Sequence, residues 1–129
     1  MFEEKIDAAC RSLIAHAYTV YNAKYCGNCA AAVRNAIEFG FKVKLIRVIS
    51  AKDYGPSYEK IGFKKIISGI NLEHYQPELG DIAIIHYEPH GHICMFTEKG
   101  WCSDFYQRDI YGGKIRKEKP LVDIYRFSC

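Results

Sequence analysis

Tyr25-Cys26-Gly27-Asn28-Cys29-Ala30-Ala31-Ala32-Val33-Arg34-Asn35-Ala36-Ile37-Glu38-Phe39-Gly40-Phe41 is the stretch around which the chain is organised. Ala30, Val33 and Ile37 recur at helical spacing, and the run of alanines keeps helix propensity high. Asn28 is a good N-cap residue, and Gly40 can supply a left-handed stop. The spacing therefore predicts a helix from Cys29 to about Phe39. A thiol at the first helical position faces unpaired amides and the positive end of the helix dipole, and both favour the thiolate. Taken alone, the stretch favours Cys29 as a small buried hydrophobe opening an amphipathic helix. The residues downstream decide in favour of chemistry.

Upstream, Phe2, Ile6, Ala9, Leu13 and Ala17 fall on one face of a helix over residues 2–17. Residues 42–49 are ambiguous between strand and helix. Ser50 to Asp53 has the form of a capping box for a short helix, with Gly55-Pro56 expected to interrupt that helix. Gly62 should end a turn around Ser57 to Ile61, and Lys65 to Ile67 reads as a strand. The second half changes character. Turns at Pro77–Gly80, Glu88–Gly91, Glu98–Gly100 and Tyr111–Gly113 separate apolar strands at Asp81–His86, Gly91–Thr97, Trp101–Phe105 and Val122–Phe127. Helices followed by short strands predict an α+β fold, with N-terminal helices packed on an antiparallel sheet.

At 129 residues the chain is long enough for one domain with its own core. A net charge of +3 is too small to argue for nucleic acid, and no basic run is interleaved with aromatics as a strand-binding groove needs. No apolar run reaches membrane-spanning length. Met1 to Lys5 lacks the basic flank and apolar block of a signal peptide, which predicts synthesis in the cytoplasm. Six cysteines are many for such a chain, because disulfides persist mainly outside the cytosol. Cys10 and Cys129 form a candidate disulfide that would close nearly the whole chain.

A cysteine on a helix with a histidine far downstream on a strand is the layout of a nucleophile and its base. His92 opens the strand after Gly91. A hairpin can bring Asp104 beside it, where a carboxylate would orient the imidazole. His90 competes for the base role but lies in the Pro89 turn. Cys26 competes with Cys29 as the reactive thiol. Two other chemistries fit part of the pattern. Tyr25-Cys26-Gly27-Asn28-Cys29 has the form of a thiol–disulfide oxidoreductase site. The same pair with His90, His92, Cys94 or Cys102 has partial zinc-ligand spacing. A non-catalytic cell-wall-binding domain is a further alternative.

Cys-Ala-x-x-Val-Arg-x-Ala at Cys29–Ala36, Pro-x-x-Gly-Asp at Pro77–Asp81, Gly-His-Ile-x-Met-Phe at Gly91–Phe96 and Trp-x-Ser-Asp-Phe-x-Gln-Arg-Asp at Trp101–Asp109 occur in that order. The set resembles the NlpC/P60 and CHAP superfamily of papain-like cysteine peptidases and amidases that cut peptidoglycan stem peptides. The short form resembles the amidase effectors of type VI secretion. The resemblance implies a single catalytic domain over residues 1–129, with Cys29 as nucleophile, His92 as base and then acid, and Asp104 as third residue. It implies the Cys29 amide as one oxyanion donor, with Tyr18, Tyr21 and Asn22 as candidates for a second. No cofactor or metal is expected. The implied partners are the stem peptide and a cognate immunity protein, and the implied site of action is the periplasm of a target cell.

Overall fold

The computed structural model describes residues 2–17, 28–70, 72–112 and 117–128. Helix α1 spans Phe2–His16 and α2 spans Cys29–Phe41. A 3-10 turn at Ala51–Asp53 leads into the short helix α3, Gly55–Glu59. Strands β1 (Phe63–Gly69), β2 (Ile82–His86), β3 (His92–Thr97), β4 (Gly100–Cys102) and β5 (Leu121–Phe127) complete the chain's regular elements among the described residues. They form one sheet in the order β1-β5-β2-β3-β4, with antiparallel pairing throughout. The expected α+β architecture, helices first and antiparallel sheet second, is what the chain adopts.

The two helices cross closely, and the reason is Gly40. A Cβ there would lie 2.5 Å from the Ala9 nitrogen and 2.6 Å from the Lys5 carbonyl oxygen. Gly40 therefore does not stop α2, as its position near the end suggests; it admits the backbone of α1. The stop falls two residues later at Lys42, which is left-handed at φ 56° and returns its amide to the Glu38 carbonyl. Asn28 also departs from expectation. Its φ of −104° and ψ of 7° suit no side-chain cap, and its side chain makes none.

The ambiguous residues 43–48 form neither helix nor strand, because side chains take their backbone groups. The Glu38 carboxylate accepts from the Leu45 amide at 2.9 Å, and the Ser57 hydroxyl donates to the Ile46 carbonyl at 2.6 Å. Pro56 begins α3 instead of interrupting it, since the first turn has no use for the missing N–H. Ser50 makes no capping bond.

Both faces of the sheet are covered. Phe63, Ile82, Ile84, Ile93, Met95 and Tyr125 pack with Leu13, Val33 and Ile37 of α1 and α2. Ala83, Ile85, Cys94, Val122 and Ile124 point the other way, against Leu72, Tyr75, Ile110 and Tyr111 from two connecting segments. Double burial explains why β2 is uninterruptedly apolar, without the alternation of a half-solvated strand. Just before β2, Arg126 reaches from β5 to Asp81 with two bonds of 2.8 Å, tying the Gly80-Asp81 corner to the neighbouring strand.

Candidate active site

The site begins where α2 begins. Cys29 is the first residue of that helix and is 4% exposed. The Asn28 amide, immediately before it, donates to the Asp104 carboxylate. A negative group at a helix start satisfies an orphan amide and the dipole together. Asp104 is thus the residue that caps this end of α2, in place of the Asn28 side chain.

Asp104 sits in a bend. Strand β4 ends at Cys102, and the chain folds back so that Tyr106 bridges Cys102. The hairpin ladder runs only from Thr97↔Gly100 to Met95↔Cys102, so it stops short of His92. The regular cross-strand placement of positions 92 and 104 expected from the sequence is therefore not formed. Asp104 is 5% exposed, and the Ser103 hydroxyl donates to its Oδ1 at 3.2 Å. Its Oδ2 is buried and has no hydrogen-bond partner among the described residues. Burial, outweighing these hydrogen bonds, raises the carboxyl above its usual value.

His92 opens β3 opposite Ile85, on the same face as Cys94. The turn before it depends on Gly91, at φ +69°, where a Cβ would meet the Ile85 carbonyl oxygen at 2.6 Å. His92 is 5% exposed, and burial pushes its pKa below the ordinary imidazole value; a bond to Gln107 partly opposes that shift. The bond joins His92 Nε2 and Gln107 Oε1 at 2.7 Å. The orientation of the Gln107 amide follows from its other partners. Its nitrogen lies 2.9 Å from the Asp109 carbonyl oxygen and 3.4 Å from that of Ile110, and carbonyls only accept. Oε1 must then face the imidazole, so neutral His92 carries its proton on Nε2 and keeps the Nδ1 lone pair as its base.

Gln107 is the partner of His92 that the sequence motifs alone do not single out. A signal is nonetheless present, since the glutamine lies in the same Trp-x-Ser-Asp-Phe-x-Gln run as Asp104. His90, the rival base, is exposed and turned to Ser50, whose hydroxyl lies 2.8 Å from its Nδ1. Phe105 and Cys94 lie between His92 and the start of α2. The His92 ring lies 6.3 Å from that of Phe105, whose neighbour Asp104 holds Asn28. Gln107 also bonds the Cys94 thiol, and neighbouring Cys29 adds a lesser upward push to that thiol's pKa. Burial raises the Cys94 thiol well above its usual value, and it donates to the Ile110 carbonyl at 3.4 Å.

No family model matches the chain, and no curated protein matches it either. Solved structures do. The type VI native effector–immunity complex Tae3–Tai3 from Ralstonia pickettii contains a chain 34% identical, superposing with a TM-score of 0.79 over 97% of this chain and 99% of that one. The selenomethionine form of the same complex gives 34% identity and a TM-score of 0.75 over 93% of this chain and 99% of that one. The chain belongs to the Tae3 family of type VI effectors. Within this Tae3-family chain, Cys26, Tyr18, Tyr21, Asn22 and Cys129 lie outside the described residues. The second oxyanion donor and the Cys10–Cys129 disulfide expected from sequence therefore fall there too. Cys10 itself is a free thiol in α1 whose Sγ donates to the Phe96 carbonyl at 3.6 Å. Among the described residues of this family member, no helix is long and apolar enough to cross a membrane.

Proposed function

We propose that the chain is a cysteine-dependent hydrolase of bacterial peptidoglycan, a single catalytic domain that cleaves an amide bond in the stem peptides. The observation that supports this reading is the fixed amide of Gln107, which holds His92 through Nε2 and leaves Nδ1 as the lone-pair nitrogen of the neutral ring. Family membership adds the effector role. The wider NlpC/P60 and CHAP kinship, with its papain-like fold, rests on the order of the sequence motifs.

In this mechanism His92 Nδ1 takes the Cys29 thiol proton as Sγ attacks the carbonyl carbon of the scissile amide. The Cys29 backbone amide donates to the oxyanion of the tetrahedral intermediate. The C–N bond breaks as the imidazolium returns its proton to the leaving amine, and a thioester remains on Cys29. His92 then deprotonates water, which attacks the thioester; the carboxylic acid leaves, and the proton returns to sulfur. Gln107 holds the imidazole through Nε2. Asp104 serves as the third residue by fixing the amide that precedes the nucleophile.

Delivered by a type VI apparatus, such an enzyme meets its substrate in the periplasm of the target cell. The producer then requires an immunity protein, as the complex from Ralstonia pickettii has. The test is digestion of purified peptidoglycan followed by mass spectrometry of the released fragments. Cys29→Ala and His92→Ala should each lower the rate by about a thousandfold or more, while Cys26→Ser keeps most of the activity. Loss confined to Cys26→Ser would favour thiol–disulfide chemistry. Equal behaviour of the native chain and Cys29→Ala would leave only a wall-binding role.

A further inference from the structure

Cys29 opens α2 and His92 opens β3, so the approach of nucleophile to base is set by where two separate elements start. The ladder that holds His92 gives out at that residue, since Ile85↔His92 is the last pair of β2 with β3. The turn beyond it, Glu88 to Gly91, is held from outside the sheet. The Lys52 amide donates to the His90 carbonyl at 2.9 Å, and the Ser50 hydroxyl lies 2.8 Å from His90 Nδ1. The fit is close, for a Cβ on Gly91 would lie 2.7 Å from that of Lys52. Lys52 also pairs with Glu88 at 2.9 Å, but the Glu88 side chain is 85% exposed and such a pair adds little.

The same short segment holds α2. Tyr54, next after the 3-10 turn, is 1% exposed, and its hydroxyl accepts from Arg34 Nη1 at 3.0 Å. Arg34 Nε is buried and has no partner among the described residues, so the Tyr54 bond anchors the guanidinium. Arg34 lies about one and a half turns into the helix that Cys29 begins. The segment is braced by its own bonds, from the Asp53 amide to the Ser50 carbonyl at 3.0 Å and from the Tyr54 amide to the Ala51 carbonyl at 3.2 Å. One braced turn therefore reaches the His92 side of the site with Ser50 and the Cys29 side with Tyr54.

We propose that this turn is a positioning bracket: Ser50 acting through His90, and Tyr54 acting through Arg34, set the distance between the Cys29 thiol and the His92 imidazole. Proton transfer between the two needs an approach of about 3 Å. A misplacement of roughly 1 Å can cost about a hundredfold in rate. The inference rests on the reading of Cys29 and His92 as nucleophile and base. It also gives the second histidine of the Pro89 turn a role, since His90 holds the turn while His92 carries the proton.

Ser50→Ala and Tyr54→Phe each delete one hydroxyl and keep the packing. Measured well below its unfolding temperature, each should lower kcat for peptidoglycan hydrolysis about tenfold, with KM within about twofold of native. The acid limb of the pH profile should stay where His92 sets it. The double variant should lose little more than either single one, because a bracket released at one end is already released. His90→Ala should match Ser50→Ala, and His90→Asn, whose amide replaces Nδ1 as the partner of Ser50, should recover most of the rate. A second readout needs no substrate: alkylation of Cys29 by iodoacetamide, followed by mass spectrometry of the Cys29 peptide. Both single variants should slow it about threefold or more at neutral pH, toward the rate of His92→Ala. Unchanged alkylation in the two variants overturns the proposal, as does unchanged kcat, a loss carried by KM, or one that His90→Asn fails to restore. Absent hydrolysis in the native chain with slowed alkylation in the variants breaks the peptidoglycan reading and keeps the bracket. Native hydrolysis with unslowed alkylation breaks only the bracket.

Discussion

Asp81 and Asp104 are both buried carboxylates at strand ends, and they are treated in opposite ways. Asp81 is 0% exposed and fully engaged: Arg126 grips it through two nitrogens, Tyr75 donates its hydroxyl and the Glu78 amide closes the turn. Asp104 is 5% exposed, leaves Oδ2 without a partner among the described residues and has its carboxyl raised by burial. A buried charge with every lone pair answered is part of the frame. A buried carboxylate with an oxygen unanswered among the described residues, next to the start of α2, is the kind of imbalance that marks a candidate functional site.

The contrast can be broken at the frame first, where the effect is largest. Asp81→Ala takes away two of the Arg126 guanidinium's bonds, leaving it half-buried with Glu78, and leaves the half-buried Tyr75 hydroxyl without its acceptor. It should cost about 1–3 kcal/mol, read as a lowered urea midpoint at unchanged slope. A loss below about 1 kcal/mol would mean that the network is decoration.

At the site the effect moves from stability to rate. Gln107→Ala removes the group that fixes the imidazole tautomer, and kcat should fall about tenfold to a hundredfold, or roughly 1.4–2.7 kcal/mol of barrier. The pH profile distinguishes this from mere loosening. Burial lowers the His92 pKa, so the acid limb of kcat/KM should lie below the ordinary imidazole value. The Gln107 bond raises that pKa, so its removal should move the limb further toward acid. A limb that stays in place while kcat drops would leave Gln107 with a packing role only.

The smallest effect sharpens the comparison most. Asp104→Asn keeps an acceptor for the Asn28 amide and removes the buried charge. Because the folded state raises this carboxyl, the native chain binds its proton more readily than the unfolded chain does. The charged form therefore erodes stability as pH rises through the shifted value. The variant should unfold at a slightly higher temperature at pH 7, with the gain vanishing on acidification below the usual carboxylate range. Its activity should nonetheless fall, since the charge at the start of α2 is lost. A variant that is both more stable and fully active would sever Asp104 from the site.

Much of the fold and part of the site are legible in the chain itself. Helical periodicity locates α1 and α2, turn residues bound four of the five strands, and Cys29, His92 and Asp104 stand out by residue type and neighbours. Local patterns of this kind need only the backbone period and the conformational limits of glycine and proline. What the tertiary structure decided are the matters that depend on what lies across a gap. Gly40 reads as a helix stop until α1 is seen pressed against it. Asn28 reads as a cap until Asp104 arrives from the other half of the chain. Residues 42–49 read as either strand or helix, yet Glu38 and Ser57 take backbone groups that either would need. The partner of His92 is Gln107, because β4 ends at Cys102 and the following bend turns a different side chain toward the imidazole. Hydrogen bonds and close contacts are chosen among groups distant in sequence, and only the folded chain brings those groups within reach of one another.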